Sequence, residues 1–108
     1  MQIKEFKELL ESTNLPVAYW SFPEGNAPEL PYIVYLINGN NDYYAEQQNY
    51  VDIGEVDVEF YSSYKDFQTE GIIERLFKEN NIKYNKTSQY LESENMWETL
   101  YELEIIID

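Results

Sequence analysis

The sequence predicts an α+β domain, a mostly antiparallel sheet of four to five strands with two helices packed on one face. Three observations lead there: helical apolar spacing near the N-terminus and again around residues 67–77, two-residue alternation at Val56–Tyr61 and Trp97–Ile107, and clusters of turn formers between these segments. With 108 residues and no break in composition, one domain spanning 1–108 and one core are expected.

Ile3, Phe6, Leu9 and Leu10 recur at spacings of three and four, with charges between them, and predict a short helix ended by Asn14-Leu15-Pro16. Val17 to Phe22 reads as a short strand, and Pro23-Glu24-Gly25-Asn26-Ala27-Pro28 as a loop. Pro31 to Ile37 is apolar with little alternation, as in a strand buried on both faces. Asn38-Gly39 predicts a hairpin reversal, because both residues tolerate the positive φ of a primed turn. The polar, tyrosine-bearing stretch from Asn38 to Asn49 makes that reversal a protruding hairpin or loop.

Val56, Val58 and Phe60 alternate with Asp57, Glu59 and Tyr61, giving a strand with one buried face. Ser63 and Asp66 resemble a capping box for a second helix running to about Asn80, with Phe67, Ile72, Ile73, Leu76 and Phe77 as its apolar face. Gly71 inside that helix is costly, and a close approach to the sheet would explain it. Ile82 to Tyr90 and Trp97 to Ile107 form a final antiparallel pair across Glu92 to Asn95. In the last strand Trp97, Tyr101, Leu103, Ile105 and Ile107 share one face and Glu98, Glu102 and Glu104 the other.

Acidic residues outnumber basic ones 21 to 7, for a net charge of -14, and there is neither histidine nor cysteine. Such a field repels phosphate backbones and anionic lipid headgroups, so sequence-specific nucleic-acid binding and a membrane role are not expected. The aromatic fraction of 17% separates the chain from a disordered acidic tail. The longest apolar run, Tyr32 to Ile37, is far short of a membrane helix, and no secretory signal follows Met1, so a soluble protein made inside the cell is expected.

The inventory also argues against an enzyme. Serines lack a histidine partner, the four glycines are too scattered to cradle a phosphate, and no catalytic residue or cofactor site is assigned. Asn38, Asn40 and Asp42 have the alternation of a calcium loop, but Tyr43 stands at the sharp-turn glycine and Asn49 at the bidentate glutamate, so no metal is expected. Glu55, Asp57 and Glu59, like Glu98, Glu102 and Glu104, read as a solvated sheet face rather than an acid-base pair. Tyr43, Tyr44 and Tyr50 are open to either core packing or partner contact.

The runs Leu15-Pro16-Val17-Ala18-Tyr19 through Phe22-Pro23-Glu24, Pro31-Tyr32-Ile33-Val34-Tyr35, Tyr50 with Val56 to Tyr61 and Lys65-Asp66, and Tyr90 to Glu94 with Trp97 to Glu104, resemble small tail proteins of long-tailed phages and prophages of Gram-positive bacteria. These are tail completion, tail terminator or head-tail joining proteins, and the resemblance rests on strand and turn patterns. It implies a non-enzymatic subunit made in the bacterial host cytoplasm. That subunit joins a ring, commonly six-fold, at the head-proximal end of the virion tail, between head connector and tail tube. Tyr43, Tyr44 and Tyr50 become candidate subunit-interface anchors, and Glu98, Glu102 and Glu104 either candidate lining for a channel that DNA must pass without adhering or charges that only keep protomers soluble and apart before assembly. The alternative from another class is an acidic DNA mimic that occupies and inhibits a nucleic-acid-binding host protein.

Overall fold

In a computed structural model, residues 1–23, 25–40 and 52–107 are described. The chain runs α1 (Ile3–Glu11), β1 (Val17–Tyr19), β2 (Tyr32–Asn40), β3 (Asp52–Ser62), α2 (Phe67–Glu79), β4 (Tyr84–Leu91) and β5 (Met96–Ile107). The strands form one sheet in the order β1-β2-β3-β5-β4, antiparallel except for the short parallel pairing of β1 with β2. The fold is α+β, and among the described residues no helix is long and apolar enough to cross a membrane.

Register explains the core. Val58 stands between Tyr35 and Tyr101, Val56 between Ile37 and Leu103, and Phe60 between Ile33 and Thr99. Two-residue alternation therefore stacks the apolar sides of three strands, and Phe6 and Leu10 of α1 with Ile73 and Phe77 of α2 complete the same cluster. Ile33, Val34 and Tyr35 are buried in succession, matching the unalternating run expected there.

Helix ends follow local chemistry. Gln2 N–H donates to Glu5 Oε1 at 3.0 Å, satisfying one orphan donor of α1. At the other end Asn14 takes a left-handed φ of 66° three residues past the helix. α2 ends in a Schellman motif: Ile82 N–H donates to Phe77 O at 2.8 Å and Asn81 N–H to Lys78 O at 3.2 Å, with Asn81 at φ 58°. Ile82 and Phe77 both enter the core, so this motif fixes how α2 hands the chain to β4.

Four expectations need correction. Asn38-Gly39 is not a turn: β2 runs through it to Asn40, and the register shift between Ile37 and Gly39 is a β-bulge, an extra residue taken up by asparagine and glycine within the strand. The α2 N-cap is Asp66 rather than Ser63, because the Asp66 carboxylate accepts from Thr69 N–H at 3.0 Å and from the Thr69 hydroxyl at 2.7 Å. Of the expected apolar face of α2, Phe67 is 72% and Ile72 44% exposed, while Glu70 is 1% exposed.

Gly71 makes no close approach, since a Cβ built there meets nothing within 4 Å. Gly71→Ala is therefore expected to stabilise the domain by about 0.5–1 kcal/mol, through helix propensity and a less flexible unfolded chain. A rise in the urea midpoint at unchanged slope would register it.

Candidate functional site

α2 is tied to the sheet by a polar network around Glu70. Its Oε2 accepts from Lys65 Nζ at 2.5 Å and from the buried Thr99 hydroxyl at 3.2 Å. Lys86 Nζ, from β4, lies 2.8 Å from Glu70 Oε1 and 2.7 Å from Glu74 Oε2. Oε1 has no directed hydrogen bond, so its contact with Lys86 is an ion pair alone. Tyr101 Oη donates to Glu74 Oε2 at 2.8 Å, and Lys65 Nζ also reaches the Ser88 hydroxyl at 3.0 Å.

Burial pushes the Glu70 and Glu74 carboxyls up, but the facing ammonium groups outweigh it and hold both below the ordinary range. The Lys86 ammonium is lowered by burial and raised further by the two carboxylates, for a net increase. Two anions and two cations cancel here, and the buried Tyr101 phenol is pushed up first by burial and then by its bond to Glu74. The arrangement positions α2 against the sheet. It was missed because Glu70 sits in an ordinary exposed-looking helical sequence, and its partners Lys86 and Thr99 come from β4 and β5, far along the chain.

The opposite side of the sheet gathers carboxylates. Asp57 pairs across strands with Glu102, and Glu55 with Glu104. Like charges directly opposite are unfavourable, by roughly 0.2–1 kcal/mol for each pair. Asn38 Nδ2 relieves Asp57 with a 2.6 Å hydrogen bond, and among the described residues no cation pairs with any of the four. Folding does not account for this face.

Glu98 stands apart from Glu102 and Glu104, half-buried and accepting from Tyr61 Oη and Gln89 Nε2, each at 2.8 Å. The expected acidic row thus divides: Glu102 and Glu104 are exposed beside β3 carboxylates, whereas Glu98 belongs to a local hydrogen-bonded group.

Three of the seven cations stand together. Arg75 and Lys78 of α2 and Lys83 before β4 edge a groove of about 700 Å³ whose floor includes Gly71, Ile82 and Tyr84. All three are exposed and make no side-chain ion pair or hydrogen bond among the described residues. The Schellman turn brings Lys83 back beside the last turn of α2, and helical spacing places Arg75 and Lys78 on one side. Lys83 also borders a depression shared with Glu102 and Glu104, so the basic groove and the acidic face meet at the free β4 edge.

Tyr43, Tyr44 and Tyr50 lie outside the described residues, as do Asp42 and Asn49 of the calcium-like spacing. No cluster of three or more acidic side chains shaped to hold a metal ion occurs among the described residues. In comparisons with known proteins, no family model matches the chain and no curated protein is similar to it in sequence.

Proposed function

We propose that this chain is a non-enzymatic structural subunit that assembles head to tail with copies of itself, in the role its strand and turn pattern resembles: tail completion, tail terminator or head-tail joining protein of a long-tailed phage. The observation that carries this reading is the segregation of unpartnered charge, with Arg75, Lys78 and Lys83 along one groove and Glu55, Asp57, Glu102 and Glu104 on the sheet face. Two unlike, complementary patches on one protomer suit a heterologous contact, and such contacts close into rings when the rotation permits. In a ring, the carboxylates left outside the contact would present like charge to DNA in the channel.

Reversing the groove tests the contact. The variant Arg75→Glu/Lys78→Glu/Lys83→Glu is expected to weaken self-association by roughly 100-fold or more in sedimentation velocity, because close like charges replace complementary ones. Adding Glu102→Lys and Glu104→Lys should restore much of it. Unchanged association of the groove variant would refute the contact. For the virion role, deleting the gene in a particle-producing strain is expected to leave heads and tails unjoined by electron microscopy, and normally joined particles would contradict it.

DNA mimicry ranks second because Glu55, Asp57, Glu102 and Glu104 form one compact patch on two neighbouring strands, rather than two acidic rows spread over an elongated surface.

A further inference from the structure

We infer that a depression between the β1-β2 connection and the sheet is a recognition pocket for an arginine side chain of a partner polypeptide, held between the Trp20 indole and the Glu59 carboxylate. It is independent of ring formation. The depression measures about 340 Å³, and Trp20, Phe22, Tyr32, Tyr61, Glu59 and Glu94 are among the residues that line it. Phe22 stacks edge-on against Tyr32, with centroids 5.1 Å apart, and Tyr32 is tilted against Tyr61 at 5.4 Å. The aromatic wall is therefore packed and continuous rather than a chance gathering.

Trp20 is the first pointer to a ligand. Its φ is 72°, and Ser21 N–H donates to Tyr19 O at 2.8 Å, closing a three-residue turn around it. A bulky side chain there is strained, where glycine or asparagine would be relaxed. The indole that this strained backbone presents is 65% exposed, so burial does not repay the strain. An outlier that the fold does not require points to use.

Unbalanced charge is the second. Tyr61 Oη lies 2.8 Å from both Glu59 Oε1 and Glu98 Oε2, yet a phenol carries one hydrogen. Glu98 has a further donor in Gln89, whereas Glu59 has only its share of that hydrogen. Burial raises the Glu59 carboxyl pKa, and the neighbouring Glu98 and Asp57 charges add to the rise. Among the described residues none of Glu59, Glu94 and Glu98 has an ion pair.

What the pocket lacks is a cation with several donors. A guanidinium is planar enough to lie on an indole, is attracted to the ring face, and carries five donors for carboxylates. An ammonium would satisfy the charge but stack less well, and a neutral urea would satisfy the shape alone.

The test is an NMR titration of ¹⁵N-labelled protein with acetyl-Gly-Arg-Gly-amide, alongside its lysine and citrulline counterparts, following the Trp20 indole and the Ser21 and Tyr61 amides. Saturable shifts with the arginine peptide are expected, with the citrulline peptide at least about tenfold weaker. Trp20→Leu and Glu59→Gln should each weaken the arginine peptide about tenfold. Should Trp20→Leu fail to fold, the isosteric Glu59→Gln carries the test alone. Absence of saturable shifts, equal affinity for the citrulline peptide, or an unchanged Kd in the variants would overturn the inference.

Discussion

Replacing Glu70 by alanine is expected to destabilise the domain by about 2–4 kcal/mol, lowering Tm by roughly 10–25 °C. The change strands Lys65 without its carboxylate, leaves Lys86 with Glu74 alone and removes an acceptor from the buried Thr99 hydroxyl. Breaking a fully enclosed pair costs about 3–5 kcal/mol. Here the side chains of Lys65 and Lys86 are 23% and 34% exposed, so both can turn toward water, and the loss falls below that figure.

The same network sets a pH dependence. The folded-state pKa values of Glu70 and Glu74 lie below their ordinary 4.5, so their contribution is complete above pH 4.5 and is lost as pH falls through the lower folded values. Lys86 is raised above 10.5, so its contribution is complete below that pH and is lost as pH rises through the folded value. Urea unfolding across pH should therefore show stability falling on the acid side below 4.5, and Glu70→Ala should flatten that limb. An equally steep limb in the variant would show that other carboxylates carry it.

The second large effect is at Phe77, where truncation to alanine is expected to cost about 3–5 kcal/mol. Its ring is fully buried, edge-on to Tyr101 at 5.5 Å and tilted against Tyr84 at 5.7 Å. Phe77 also supplies the carbonyl that receives Ile82 N–H, so the cavity would open where α2 turns toward β4 and the basic groove begins. Phe67→Ala is the matched control. Phe67 is largely exposed and touches Lys65 Nζ only across 5.1 Å, so its loss should stay within about 1 kcal/mol. Urea midpoints of the two variants separate the observed orientation of α2 from one that buries Phe67.

These two helix positions show what the sequence made legible and what it did not. Periodicity located α2 and the alternation of β3 and β5, because burial on one face leaves a pattern at a fixed spacing. Which positions of α2 turn inward is decided by tertiary packing, where Lys65, Lys86 and Thr99 receive Glu70. Phe67 was expected on the apolar face and is exposed, and no pattern in the sequence marked Glu70 for burial. Asn38-Gly39 has the composition of a primed turn, yet long-range pairing with β3 takes it into the ladder as a bulge. Of the site, the acidic face was readable from Glu102 and Glu104, and the Asp57 and Glu55 partners required the strand register. Arg75, Lys78 and Lys83 are unremarkable in sequence, since only the Schellman turn folds Lys83 back beside the helix.

Self-association through unlike charged patches makes one demand on ionic strength. At about 0.01 M salt the screening length is roughly 30 Å, and the net charge of -14 holds protomers apart. Near 0.15 M it is about 8 Å, which screens whole-molecule repulsion while leaving contacts within the interface; at 1 M it is about 3 Å, and those contacts fade as well. Light scattering of the purified protein across this range is expected to give a mass that rises from low salt to a maximum near physiological ionic strength and falls again toward 1 M. A monomer at every salt concentration, or a mass that climbs without a maximum, would contradict assembly by the groove and the acidic face.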